Sequence, residues 1–363
     1  MLVIDSHLDI AWNALQWNRD QLRSAHEIRA AEKGKTGKAR GNSTVGLPDL
    51  CRGRVALSIV TVLTRSTGNP VEHIDYDSPT QAHAIGRGQL EYYHCLAREG
   101  HVRVLTDAPA LQKHMNQWQA WDAQSDANPN DTPPLGFVVS MEGADPILRP
   151  DCLEEWWNDG LRLIGLSHYG PGRYAGGTGT EIGVRDIGYE LLKEMQRLGV
   201  LLDLTHLSDT AFWEAVEHYD GPVLASHQNA RELVPAQRQF TDEQLKVVFE
   251  RDGVVGVAFD CWMLKPGWVV GESDPKAEGV TLETVVRQIE YICDLAGSAR
   301  HVAIGTDLDG GFGTEQSPAD LDTIADLQRF PELLSARGFS GDDIAAILHG
   351  NWWRFLHGNW SKK

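Results

Sequence analysis

The sequence has few cysteines, and their spacing gives no pattern that would pair them. The five lie far apart along 363 residues without a Cys-x-x-Cys pair: Cys51, Cys95, Cys152, Cys261 and Cys293. An odd number of scattered cysteines argues against a disulfide framework and against a zinc site built from thiolates. We therefore expect reduced thiols and, as the compartment that maintains them, the cytoplasm.

Long apolar runs, a secretory signal and an excess of positive charge are also missing. No apolar run approaches the roughly 20 residues that a membrane helix needs, and the first residues lack the basic and apolar regions of a signal peptide. The chain carries 33 lysine and arginine residues against 51 aspartate and glutamate residues, a formal net charge of −18. We therefore expect no membrane association and no binding to nucleic acid, whose phosphates attract basic surfaces.

Eight short runs rich in valine, isoleucine and leucine predict strands that are buried on both faces. These runs cover residues 2–10, 55–63, 136–143, 161–168, 199–206, 222–227, 253–260 and 301–310. Helical patterns separate most of them, which predicts a parallel sheet, and eight such units predict a closed (β/α)8 barrel of the TIM type. We interpret residues 1–363 as a single α/β domain of this kind, with an open doubly wound sheet as the alternative.

Local signals mark helix ends and two interruptions of the alternation. Gly199 follows a helical pattern as a C-terminal cap, and Thr241 opens a capping box with the glutamine three residues later. Residues 19–50 form a polar excursion, and residues 121–134 are predicted to be an exposed loop. The run VRVL at 102–105 could add one further strand.

Most of the strand candidates end in a residue that can bind a metal. These residues are His7, Asp9, Glu142, His168, His206, His227 and Asp307. Because the carboxyl ends of barrel strands meet at one mouth, the fold would gather them into a single cluster. Carboxylate oxygens and imidazole nitrogens without thiolates favour zinc or a related divalent ion. Two such ions can share a hydroxide, which implies hydrolysis.

Each of these residues alone also has an ordinary structural explanation. A single buried histidine is more often a hydrogen-bonded core residue than a ligand, but the agreement among strand ends favours a metal site. Asp309 is interpreted as a structural residue of the turn in DLDGG. The histidines that precede strands or lie near the C-terminus are interpreted as structural too: His101, His301, His349 and His357.

Six motifs, in order along the chain, resemble those of the membrane (renal) dipeptidases of the amidohydrolase superfamily. They are DSHLD, SMEGAD, LLDLTHLS, PVLASHQNAR, IGTDLDG and HGNWWRFL, and they extend from residue 4 to about residue 356. The resemblance implies five ligands for two divalent ions, most often zinc, with Glu142 as the bridge. The other ligands are His7 and Asp9 for one ion and His206 and His227 for the second.

The resemblance also implies roles for three residues beside the metals. Asp307 would accept and deliver the proton of the attacking hydroxide, and His168 would contact the substrate near the scissile carbonyl. Arg238 would bind the terminal carboxylate of the substrate, since a planar guanidinium can bind a carboxylate through two hydrogen bonds. Arg231, which is nearer to His227 in the sequence, is the competing candidate.

The function we predict is that of a zinc-dependent dipeptidase in which a metal-bridging hydroxide attacks the peptide bond. The resemblance implies that dipeptides with a C-terminal D-amino acid are among the substrates. Another amidohydrolase reaction, such as N-acyl-amino acid deacylation or lactam opening, is the alternative within enzymes, and a non-catalytic binding barrel is the alternative outside them. A homodimer and a monomer both remain possible oligomeric states.

Overall fold

The computed structural model describes residues 1–68, 71–124 and 127–361. Its strands are β1 Val3–Leu8, β2 Val55–Leu63, β3 Val102–Val104, β4 Leu135–Glu142, β5 Leu161–Gly165, β6 Leu201–Asp203, β7 Val223–Leu224, β8 Val255–Val257 and β9 Val302–Ile304. The eight predicted strands are all present, and most of them are shorter than the apolar runs that predicted them.

The helices lie between and after the strands. The α-helices of the described ranges are α1 Ile10–Gln16, α2 Ala25–Ala31, α3 Leu47–Arg52, α4 Pro79–Arg98, α5 Ala108–Asp122, α6 Leu153–Asn158, α7 Asp186–Leu198, α8 Asp209–His218, α9 Asp242–Glu250, α10 Cys261–Leu264, α11 Leu282–Ala296, α12 Phe330–Ala336, α13 Gly341–Ala345 and α14 Asn351–Trp360. Among these residues, no helix combines the length and the apolar character that crossing a bilayer requires.

The strands form one parallel sheet that nearly closes on itself. Its order is β7-β6-β5-β4-β2-β1-β9-β8, and a parallel bridge between Ala225 and Val255 brings the two ends of this order together. The (β/α)8 barrel is therefore confirmed, and the open sheet is excluded. The VRVL run forms β3, which pairs with the first residues of β4 outside the barrel order.

Small side chains fill the barrel interior below the site. Ser6 donates a hydrogen bond to the Ser226 carbonyl oxygen across the barrel. A side chain at Gly256 or at Gly305 would collide with that carbonyl oxygen and with the Ser6 hydroxyl. Glycines on β8 and directly after β9 therefore let the strands approach closely, which brings the residues at their carboxyl ends together.

The predicted helix ends are confirmed, while the predicted loop begins too early. Gly199 follows α7 in the left-handed conformation with a φ of 64°, and the capping box of Thr241 is formed at the start of α9. The predicted loop at 121–134 includes residues 125 and 126, which lie outside the described residues, and its first two residues belong to α5, which continues to Asp122. Burial of Trp121 against Trp118 extends the helix by these residues.

The polar excursion at 19–50 contains two helices, and a buried ion pair holds it to the barrel. The Arg19 guanidinium contacts both carboxylate oxygens of Glu32 at 3.0 Å and Asp309 at 3.3 Å. Burial would raise the pKa of Glu32, but hydrogen bonds from Arg19 and from the Gly41 amide lower it to about 2. The excursion is thus fixed through charges that are removed from water.

We predict that Arg19→Met destabilises the protein strongly, because it leaves the buried carboxylate of Asp309 without its cation and leaves Glu32 with Arg40 alone. The free energy of unfolding should fall by about 3–5 kcal/mol, as is typical when one partner of a buried pair is removed. The control is Arg23→Met, since Arg23 pairs with Asp20 at 3.4 Å and both side chains are more than half exposed. Guanidinium denaturation measures both variants, and equal losses would contradict a special role for Arg19.

Candidate active site

The predicted site residues converge at the carboxyl ends of the strands. Four of them stand at the same offset, three residues after the last residue of β5, β6, β7 and β9: His168, His206, His227 and Asp307. Glu142 is the last residue of β4, His7 lies within β1, and Asp9 follows β1 directly. The barrel therefore brings together all seven residues that the strand-end pattern singled out.

Glu142 lies at the centre of this cluster, and its two oxygens face different neighbours. Glu142 Oε1 lies 3.1 Å from His206 Nε2 and 3.3 Å from His227 Nε2. Glu142 Oε2 lies 3.6 Å from His7 Nε2. His7 Nε2 is in turn 3.9 Å from Asp9 Oδ2 and 3.8 Å from Asp307 Oδ1.

Hydroxyl groups behind two of the histidines orient their rings. The Thr178 hydroxyl lies 3.0 Å from His206 Nδ1, and the Ser226 hydroxyl lies 2.9 Å from His227 Nδ1. Thr178 also donates to the His206 carbonyl oxygen at 3.3 Å, so its hydroxyl oxygen is available to accept from Nδ1–H. A proton on Nδ1 leaves the lone pair of Nε2 directed at Glu142, which is the arrangement of a metal-binding histidine.

The cluster has the donors and the unmet bonding needs of a divalent cation site. His7 Nε2 and Asp9 Oδ1 are buried and have no hydrogen-bond partner among the described residues. Buried polar atoms are almost always hydrogen-bonded, so two such atoms side by side call for a ligand. Ligand atoms lie within 4.8 Å of one another in three groups, which are His7 with Glu142 and His227, Glu142 with His168 and His206, and His7 with Asp9 and Asp307.

Burial dominates the pKa of every ionisable group in the cluster. It lowers the pKa of His7 to about 3 and the pKa of His206 and His227 well below the ordinary value, so these imidazoles are neutral. Burial also raises the pKa of Asp9 to about 7 and, with the charge of Asp9, raises the pKa of Glu142. Neutral imidazoles are the ligand form, and neighbouring buried carboxylates are ionised most readily beside a cation.

Two of the site residues are held in a backbone conformation that non-glycine residues rarely adopt. His206 has a φ of 67° and Asp307 has a φ of 59°. Such a conformation costs on the order of 1–3 kcal/mol and is found most often at functional sites. Both side chains are therefore aimed into the cluster at an energetic cost that the surrounding fold has to offset.

Asp307 and Asp309 have different environments although they are two residues apart. Asp309 accepts hydrogen bonds from the Thr44 amide at 2.7 Å and from the Ser43 hydroxyl at 2.6 Å, in addition to its contact with Arg19. Its role is structural, but the prediction that it stabilises its own turn was wrong, because its partners belong to the excursion at 19–50. Asp307 faces the cluster.

An arginine that the sequence analysis missed holds His168. Arg65 Nη1 lies 3.1 Å from His168 Nδ1 and 3.2 Å from the Tyr169 carbonyl oxygen, while Arg65 Nε lies 3.0 Å from Asp75 Oδ2. Because a guanidinium can only donate, His168 Nδ1 accepts and the ring carries its proton on Nε2. His168 Nε2 is 3.9 Å from Glu142 Oε1, and this N–H is a donor at the mouth of the cluster.

The structure separates the two arginines that competed for the substrate carboxylate. Arg238 is buried in the cavity wall and donates to the His227 carbonyl oxygen at 2.9 Å and to the Gln228 side chain. Arg231 is outside this wall and forms two hydrogen bonds of 2.9 and 2.7 Å with Asp209. Of these two arginines, Arg238 lines the cavity and Arg231 does not.

The cluster forms the floor of a cavity of about 530 Å³. Its walls combine aromatic and aliphatic side chains with a few charged ones, which is typical of a small-molecule site. Asp260 lies in this wall at the same three-residue offset after β8 as the residues above. It is not among the predicted site residues, although the predicted strand 253–260 ends on it. The pattern that predicted the other site residues, a polar residue at the carboxyl end of each strand, also identifies Asp260. We call this pattern the strand-end rule.

Comparisons with known proteins place this geometry in a family. A protein of Klebsiella pneumoniae encoded in the region 5′ of pqqA is 32% identical over 238 residues, which cover 63% of this chain and 83% of that protein. An uncharacterised dipeptidase of Schizosaccharomyces pombe is 30% identical over 225 residues, 60% of this chain. That alignment spans about half of the yeast protein, 51% of its length.

Two solved structures share the fold over nearly the whole chain. The metallopeptidase named dipeptidase AC superposes with a TM-score of 0.78 at 23% identity, over 99% of each chain. A Rhodobacter sphaeroides metallopeptidase, solved with a phosphinate mimic of the dipeptide L-Ala-D-Ala, superposes with a TM-score of 0.75 at 22% identity, again over 99% of each chain. The family model "Membrane dipeptidase (Peptidase family M19)" matches residues 1–359. The chain therefore belongs to the membrane dipeptidase family of metallopeptidases, family M19.

Proposed function

We propose that this protein hydrolyses dipeptides with the help of two divalent metal ions, zinc being the expected metal. The observation that carries the proposal is the position of Glu142, whose oxygens face His206 and His227 on one side and His7 on the other. A carboxylate placed in this way fits a bridge between two ions. The remaining ligands would be His7 with Asp9 for one ion and His206 with His227 for the other.

When bound, the two ions would supply a water of lowered pKa as the nucleophile and would polarise the scissile carbonyl. The protein has to move one proton in this reaction, and Asp307 is the proposed carrier. Its carboxylate is within 3.8 Å of His7 Nε2 and lines the cavity. It would accept a proton from the attacking water and deliver it to the departing amine.

His168 and Arg238 would hold the substrate on either side of the reacting bond. The N–H on Nε2 of His168, which follows from its contact with Arg65, can donate to the oxygen of the peptide carbonyl as negative charge develops there. Arg238 lines the same cavity and would bind the C-terminal carboxylate of the dipeptide. The substrate is thereby limited in length, because a longer peptide has no carboxylate at that distance.

Acceptance of a D-amino acid at the C-terminal position is part of the proposal. Support comes from the related Rhodobacter sphaeroides enzyme, whose bound ligand mimics L-Ala-D-Ala. Hydrolysis of L,L and L,D dipeptides should therefore be assayed side by side, together with N-acyl-amino acids and lactams. Turnover of the latter compounds without turnover of dipeptides would favour another amidohydrolase reaction.

We predict about two divalent ions per chain. Protein reconstituted with zinc and freed of excess metal should show this ratio by elemental analysis, because five clustered ligands suffice for two compact sites. Zinc titration of the stripped protein would give the same stoichiometry in a binding assay. Fewer than one ion per chain would contradict the two-metal model.

We predict that Arg238→Met lowers kcat/KM for dipeptides roughly 10- to 100-fold, which corresponds to the loss of a hydrogen bond to a charged group. Its metal content should stay at the wild-type level. Arg231→Met is the comparison variant, because Arg231 is paired with Asp209 outside the cavity and donates to the Gln237 and Gln239 carbonyl oxygens. Any loss of kcat/KM that it causes should be the same for dipeptides and for dipeptide amides. Dipeptide amides, which lack the carboxylate, should lose little further in Arg238→Met, and equal losses for acid and amide would contradict the assignment.

We predict that Asp307→Asn retains metal but loses at least about 100-fold in kcat, since asparagine keeps the shape and one acceptor oxygen and removes the basicity of a proton carrier. His206→Asn should instead lose metal as well as rate, because His206 would be a ligand. Metal content and kcat are measured on the same preparations. Turnover of Asp307→Asn within about tenfold of wild type, with both ions bound, would rule out the proposed proton carrier.

A further inference from the structure

Asp260 is a buried carboxylate in the cavity wall to which the proposed reaction assigns no role. It follows β8, between the loop that carries Arg238 after β7 and the loop that carries Asp307 after β9. Only 5% of its surface is exposed, and it lines the same cavity as these two residues. Burying a third carboxylate beside the candidate metal ligands is costly unless something compensates its charge.

The structural contacts of Asp260 use only one of its oxygens. Oδ1 accepts hydrogen bonds from the Gln316 side chain at 2.7 Å and from the Trp262 amide at 3.2 Å, which caps α10. Both described bonds would also be met by an asparagine, since asparagine is as good an N-terminal cap as aspartate. The structural role of Asp260 therefore requires neither its negative charge nor its Oδ2 atom.

No cation of the described residues is paired with this carboxylate. Lysine and arginine side chains lie beyond the 4.0 Å of an ion pair, although Arg238 and Lys38 line the same cavity. Burial raises the pKa of Asp260 to about 6, while hydrogen bonds from Gln316 and Trp262 and the more distant charges of Lys38 and Arg238 lower it. The carboxylate is therefore in the field of two cations without forming an ion pair with either.

Apolar side chains lie directly beside the charge. Trp262 and Met263 follow Asp260 in the sequence and line the cavity with it. Lysine and arginine side chains consist of an aliphatic stem and a charged head, so a wall with apolar groups next to one carboxylate matches both parts. The aromatic ring of Trp262 would add to the attraction of a cation.

Resting on the dipeptidase function proposed above, we propose that Asp260 selects dipeptides whose C-terminal residue carries a cationic side chain, lysine or arginine. The C-terminal residue is the one concerned because its carboxylate would be bound by Arg238. Arg238 and Asp260 stand on the loops that follow the neighbouring strands β7 and β8, which are bridged through Ala225 and Val255. The proposal places the carboxylate of the C-terminal residue at Arg238 and its side chain at Asp260 in the same cavity, and the assay with L- and D-residues shows which configuration allows both contacts.

The experiment compares kcat/KM for L-Ala-Lys with that for L-Ala-norleucine, each with an L- and a D-residue at the C-terminus, on zinc-loaded protein. Norleucine keeps the aliphatic stem and lacks the ammonium group. The wild type should prefer the lysine dipeptide at least about tenfold, and Asp260→Asn should reduce this preference by roughly 10- to 100-fold, the usual effect of removing a hydrogen bond to a charged group. Asp260→Ser, which also retains a capping group, provides a second uncharged variant if the asparagine variant does not fold.

Glu72→Gln is the matched control, because Glu72 lines the mouth of the same cavity but its side chain is 89% exposed. It should change the lysine-to-norleucine ratio by less than about twofold, since solvent screens an exposed charge. If Glu72→Gln and Asp260→Asn changed the ratio equally, the preference would come from the overall negative potential of the cavity, and the proposal would be overturned.

Three further results would also overturn the proposal, and they differ in whether the dipeptidase function remains supported. Hydrolysis of both dipeptides with a ratio that Asp260→Asn does not alter would reject the role of Asp260 while the dipeptidase function stands. A loss of rate on N-acetylation of L-Ala-norleucine that Asp260→Asn abolishes would assign Asp260 to the substrate's α-amine instead. Absence of hydrolysis of every dipeptide by the zinc-loaded wild type would reject the dipeptidase function and this inference together.

Discussion

The structure of the site depends on one electrostatic constraint, the burial of several carboxylates around Glu142. Glu142 and Asp9 are buried and the side chain of Asp307 is only 15% exposed, and the charges of Asp9 and Asp307 raise the pKa of Glu142 because like charges repel. The imidazoles between them are neutral because burial lowers the pKa of each. The cluster therefore has a strong need for positive charge that the side chains forming it do not meet.

The barrel supplies the rigidity that this arrangement requires. Glycines at 256 and 305 and the small side chain of Ser6 let the strands approach below the site. Two of the side chains that face the cluster, those of His206 and Asp307, are held with a positive φ. On one flank, Arg19 fixes the excursion at 19–50 to Asp309, which belongs to the same loop as Asp307. The energy stored at the mouth is thus offset by packing and by ion pairs away from it.

The sequence predicted most of the residues at the mouth because one rule of barrel geometry applies to all of them. A polar residue at the carboxyl end of a buried strand points to the mouth whichever strand it follows, so His168, His227 and Glu142 could be placed without knowing their contacts. Asp260 obeys the same rule, although the resemblance implies no role for it. Arg65 could not be found in this way, since arginine is not a metal ligand and only its contact with His168 shows its relevance.

Predictions were less successful where a side chain is held by a residue far away in the sequence. Asp309 was expected to stabilise its own turn, and its partners Ser43 and Thr44 are more than 260 positions away. The loop predicted at 121–134 begins two residues too early, because α5 continues to Asp122 and its residue Trp121 is buried beside the guanidinium of the distant Arg54, 5.4 Å from the ring centroid. Local patterns do not contain such tertiary contacts, and in both cases the tertiary contact decided the outcome.

Three histidines show that the strand-end rule predicts the position of a site residue and does not predict its role. His168, His206 and His227 stand at the same offset after consecutive strands, so position alone assigns them the same role. Their outer partners separate them. The hydroxyl groups of Thr178 and Ser226 can accept a proton from Nδ1 and leave Nε2 free to bind a metal. Arg65 can only donate to His168, which leaves a proton on Nε2 and makes that histidine a donor to the substrate. Whether a histidine at this mouth serves as a metal ligand or as a hydrogen-bond donor therefore depends on the residue that contacts its Nδ1 atom.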